Sequence, residues 1–167
     1  MNLVGMCPTP AAPGVPSAPG APAVPAGDGA ARGGYILAEA LDADPGATAP
    51  DVVLVAAGGE VPAALDARRI LQREGIATRV VSMPCAAWFR QQSRAYRDTV
   101  LPPGAPATVS VGAGAAVGRY ELLGAAAEHE RGLLDHAGLT PERVAATARA
   151  TLARAAGAPR AGERWPR

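Results

Sequence analysis

The body of the sequence holds one cysteine, Cys85, in the stretch Val81-Ser82-Met83-Pro84-Cys85, directly after a strand-like run and a proline. A thiol placed between a strand and a helix can become acidic enough to act as a nucleophile or a metal ligand. A nucleophile of that kind needs a base, and no histidine accompanies Cys85 in its own element. The surrounding residue types fit burial of a small apolar group at a strand end.

A second candidate is the glycine pair in Ala56-Ala57-Gly58-Gly59-Glu60. Backbone N–H groups at such a strand-to-helix turn can hold an anion. The full G-x-G-x-x-G pattern is absent, and the Glu60 carboxylate would compete with an incoming phosphate. A structural turn is therefore expected, with Glu60 capping the helix that follows. His129 and His136 stand seven apart with only Glu128, Glu130 and Asp135 as nearby carboxylates. They are expected to be surface histidines, because a metal site needs a convergent ligand set. Ligands of open α/β sheets gather at the carboxyl ends of the strands. That rule makes Gly58, Gly59, Glu60, Ser82 and Cys85 a candidate ligand or interface crevice, with no catalytic and no metal-binding residue assigned.

The elements that would position these residues follow from periodicity. Residues 33–40, "GGYILAEA", predict a short strand, and the turn-rich 42–50 a loop. The run 51–57, "DVVLVAA", is apolar throughout, as expected of a strand covered on both faces in a parallel sheet. Residues 60–75 predict a helix with Val61, Leu65 and Ile70 or Leu71 on its inner stripe, Pro62 in its first turn and Gly75 as its stop. A strand over 76–83 completes a βαβ unit. One or two short helices over 86–99, a strand over 107–113 and a helical stretch over 121–137 follow. The last helix, 139–156, has Thr140 as N-cap, Pro141 at N1 and Glu142 in the first turn, where it favours the helix dipole. Its inward stripe is expected from Val144, Thr147 or Ala148, Thr151 and Leu152.

Composition limits the alternatives. Val, Ile, Leu and Phe together number 31 of 167 residues, while alanine alone numbers 40. All 16 basic residues are arginine, interspersed with 15 acids for a net charge of +1, which leaves no basic footprint for nucleic acid. No stretch reaches the roughly 18 apolar residues of a membrane span, and the N-terminus lacks a secretory pattern. Two cysteines are too few for a disulfide framework. A cytoplasmic protein with reduced thiols is expected.

Prolines at 10, 13, 16, 19, 22 and 25 recur every three residues, the period of a polyproline II rod. Such a segment suits docking to an aromatic groove or service as a spacer, and it cannot build a core. The expected organisation is a disordered segment over 1–31, one domain over 32–156 and a disordered tail over 157–167. Gly27-Asp28-Gly29 resembles the start of the metal and diphosphate motif of thiamine enzymes. That motif continues to an asparagine, and the only asparagine here is Asn2, so a linker turn is expected.

Taken together, residues 51–103 resemble the start of the C-terminal domain of the transketolase family. The resemblance is carried by Gly58-Gly59-Glu60 in place of the family's G-S-E turn, by Val81-Ser82-Met83-Pro84-Cys85, by Phe89 to Gln92 as F-x-x-Q, and by Val100-Leu101-Pro102. Upstream, "ARGGYILAEA" is similar to the segment that leads into this domain. Downstream, "GLTPERVAATARATL" is similar to its terminal helix. Gly59 replaces the family's serine, Gly112 its usual glutamate after the third strand, and the span between Tyr120 and Glu130 lacks its F-G-x-S-A segment.

The resemblance implies a three-layer α/β/α domain with a mostly parallel sheet, here with one edge strand expected to be missing. It further implies that thiamine diphosphate and a divalent metal belong to the assembled enzyme and are not bound by this chain alone. The expected partners are a subunit carrying the thiamine-binding domains, a second copy of this chain, or both, with no nucleic acid and no membrane.

Overall fold

A computed structural model describes residues 26–41, 49–112, 128–129 and 139–157. The proline rod, most of the stretch 113–138, including His136, and the C-terminal tail lie outside the described residues. The chain forms α1 (Ala26–Ala31), β1 (Tyr35–Ala38), β2 (Val52–Ala56), a 3-10 turn (Gly58–Glu60), α2 (Val61–Arg73), β3 (Thr78–Ser82), α3 (Ala86–Arg90), α4 (Arg94–Val100), β4 (Ala107–Ser110), β5 (Glu128–His129) and α5 (Pro141–Gly157). The five strands lie in the order β1-β3-β2-β4-β5. Among the described residues only β1 is antiparallel to its neighbour; the other three pairings are parallel.

Strand β2 is central, and its five residues are all fully buried. Its continuous Val-Leu character is explained by helices on both sides, since alternate residues must both meet apolar partners. Val52, Leu54 and Ala56 pack with Val80, Ala107 and Val109 against α2 and α5. Val53 and Val55 face the other way, with Val81 and Met83, toward Phe89 of α3 and Val100 of α4. These two clusters make the three-layer α/β/α arrangement that the family resemblance implies.

Two helices start at side-chain caps. Thr140 Oγ1 accepts the Arg143 N–H at 3.3 Å, the N-cap contact expected for α5. Ser93 Oγ accepts the Tyr96 N–H at 3.3 Å at the start of α4. Helix α2 begins with proline in its first turn, but Glu60 makes no side-chain capping hydrogen bond, contrary to expectation. The 3-10 turn supplies the cause: Glu60 already has helical backbone angles, φ −85° and ψ −16°, and a capping side chain is normally presented from extended backbone.

The structure differs from the sequence expectation in several places. Helical structure extends back to Ala26, inside the segment 1–31 expected to be disordered. The Arg32 and Gly33 N–H groups donate to the Gly29 and Ala30 carbonyls, which closes the last turn of α1. At the edge beside β4 the sheet is reduced to β5, a two-residue strand paired through Val109↔Glu128 and Ser110↔His129. His129 therefore lies in a strand and not on a helix, because pairing along β4 outweighs the weak helical pattern of 121–137. The inner stripe of α2 is Ala64, Ala67 and Leu71, with Val61, Leu65 and Ile70 at its margins.

Candidate functional site

Parallel pairing fixes which loops meet. Ala56 sits opposite Ser82, so the turn Gly58–Glu60 and the segment Ser82–Cys85 leave adjacent strands at the same carboxyl edge. The Met83 N–H donates to the Ala56 carbonyl at 2.8 Å, and the Val111 N–H to the Val55 carbonyl at 2.8 Å, extending the ladder beyond each strand. Because β1 is antiparallel, its start arrives at that same edge, with Tyr35 opposite Ser82.

The five candidate residues thus share one edge but not one environment. Gly58 and Gly59 are exposed, Glu60 is half-buried, and a side-chain carbon added at either glycine would meet nothing within 4 Å. Gly58 needs its glycine for a different reason, a φ of +55° that lets the chain turn from β2 into α2. Ser82 and Cys85 are buried. Cys85 lies against the segment that leads into β1, and Ser82 is the β3 residue paired with Tyr35, on the side of β2 away from β4.

The segment that leads into β1 was not picked out by sequence reasoning as part of the site. The Cys85 N–H donates to the Gly33 carbonyl at 3.0 Å. Gly33 has φ +82°, and a Cβ there would lie 2.3 Å from the Cys85 carbonyl oxygen and 2.6 Å from the Phe89 nitrogen. At Gly34 a Cβ would fall 2.6 Å from the Met83 sulfur. The Tyr96 hydroxyl donates to the Gly34 carbonyl at 2.8 Å, and the Arg32 guanidinium stands 4.8 Å from the centre of the Tyr96 ring. Burial raises the Tyr96 pKa above its ordinary value, opposed by the Arg32 charge. Two adjacent glycines ahead of a strand are the sequence signal for this close backbone approach.

Cys85 is 3% exposed and takes part in a disulfide. Its burial agrees with the packed role expected of it, whereas the bond departs from the expected reduced thiol. The chain's other cysteine, Cys7, lies outside the described residues. A disulfide sulfur is no nucleophile, so Cys85 offers no covalent catalysis in this state.

At the opposite edge of the sheet the polar contacts are structural. Arg79 donates to both Glu39 carboxylate oxygens and to the Thr99 carbonyl, tying β1, β3 and α4 together. Arg68 donates to the Glu39 and Thr78 carbonyls. Burial and then the neighbouring Arg69 charge lower the Arg68 pKa, with Glu39 opposing. Glu74 at the end of α2 meets Arg149 of α5 at 2.7 Å.

Residues 33–136 match the family described as the transketolase-like TK C-terminal domain. The chain belongs to this transketolase family. It is 43% identical to a transketolase of Mycobacterium tuberculosis across 75% of its own length and 19% of that protein's. The figures are 48%, 73% and 19% for the chromosomal transketolase of Cupriavidus necator. Transketolase from Leishmania mexicana superposes with a TM-score of 0.63 at 33% identity, covering 81% of this chain and 20% of that one. The chain therefore spans about a fifth of the transketolases it matches.

No three His, Cys, Asp or Glu side chains gather among the described residues as a metal would require. At the turn between β2 and α2, Glu60 sets a carboxylate beside the helix N-terminus. No helix among the described residues is long and apolar enough to cross a membrane.

Proposed function

We propose that this chain is the C-terminal section of a split transketolase. In this reading it is a structural and assembly subunit, non-catalytic by itself, in the cytoplasmic transfer of ketol units between sugar phosphates. A partner chain carrying the thiamine-binding domains supplies thiamine diphosphate, its divalent metal and the substrate contacts. The observation that supports the reading is the match of residues 33–136 to the transketolase-like C-terminal domain, with 43% identity to a mycobacterial transketolase across 19% of that protein's length. Gly58, Gly59, Glu60, Ser82 and Cys85 then mark an edge held for assembly, with Ser82 and Cys85 packed inside it and the glycine turn open for contact.

The test mixes the full chain with a transketolase from which the C-terminal domain has been removed. Ketol transfer should rise on mixing, and the two chains should elute together. A stable monomer that leaves ketol transfer unchanged overturns the proposal.

A second reading is favoured by one specific set of observations: glycine at positions 59 and 112, and an edge strand of only two residues. Under it the chain is a decayed transketolase remnant that serves as an adaptor. Restoring Gly59→Ser and Gly112→Glu should then raise association with the truncated enzyme above that of the natural chain. Association that is already tight and unaffected by the two changes rejects this reading.

A further inference from the structure

We draw no further inference here: the strongest candidate, the crevice at the carboxyl ends of β2 and β4 beside the Gly58–Glu60 turn, rests on the N-terminus of α2 alone, because the buried, unpartnered Ser110 hydroxyl lies on the opposite face of the sheet and points to no ligand there.

Discussion

On the face of the sheet that carries α2 and α5, the helices meet the strands through Ala64, Ala67, Ala145 and Ala148; on the other, α3 and α4 meet them through Phe89 and Val100. Small side chains let long helices lie close to the sheet and to each other, so many modest contacts replace a few large ones. The short helices cannot work that way. With five and seven residues, α3 and α4 are below the length at which a helix is stable in water, and they depend on individual anchors. The domain thus distributes its packing on one face and concentrates it on the other, where Gly33 and Gly34 also press against the Cys85 loop.

The sharpest way to break this comparison is Phe89→Ala. Phe89 is the largest fully buried side chain among the described residues, and its removal should cost about 4 kcal/mol, read as lost stability in urea unfolding. A loss near 1 kcal/mol would mean that the second face is not anchored as described. Gly33→Ala should come next, at about 3 kcal/mol, because a left-handed backbone and a steric collision add. Gly58→Ala shares the positive φ but has open space around it, so it should lose only about 1 kcal/mol. Equal losses at the two glycines would remove the case for a tight seat at Gly33.

On the alanine-rich face the informative change is an enlargement. Ala67→Leu forces extra volume between α2 and the sheet and should destabilise by about 2 kcal/mol, measured by the same unfolding curve. No loss would show that α2 does not need small residues there.

The smallest effect concerns the ion pair that joins the two long helices. The hydrogen bond from Arg149 lowers the Glu74 pKa below its ordinary value of 4.5, with burial opposing, and the same contact raises that of Arg149. A carboxyl whose folded pKa is depressed adds stability above its unfolded pKa, and that contribution is lost as the pH falls through the folded value. The Tm difference between the natural chain and Glu74→Gln should therefore be present at neutral pH, small because the pair is exposed, and vanish in acid below the carboxylate range. A difference that persists in acid would assign the effect to something other than charge.

Much of the fold was legible because its signals are local. Val52 to Ala56 gave a strand covered on both faces, Pro62 and Gly75 bounded α2, and Thr140-Pro141 started α5 where the structure starts it. Less of the candidate site was. Gly58-Gly59-Glu60 was found as a turn, but the capping role given to Glu60 failed because the 3-10 turn already sets its backbone. The two-residue β5 left no mark, because so short a pairing carries almost no periodic pattern. The disulfide at Cys85 also escaped, since spacing between cysteines carries no information about which of them the fold brings together.

By itself, the sequence determined the family, the order of its main elements and the shortage of large apolar side chains that forces alanine into the core. Each depends on residue type and near neighbours along the chain. Only the tertiary structure decided that Ser82 and Cys85 are buried while Gly58 and Gly59 are open, and that Gly33 and Gly34 seat against the Cys85 loop with Tyr96 holding the Gly34 carbonyl. The reason is the antiparallel pairing of β1 with β3. It returns the chain to the carboxyl edge of the sheet and places Gly34 within 2.8 Å of a hydroxyl sixty-two residues later.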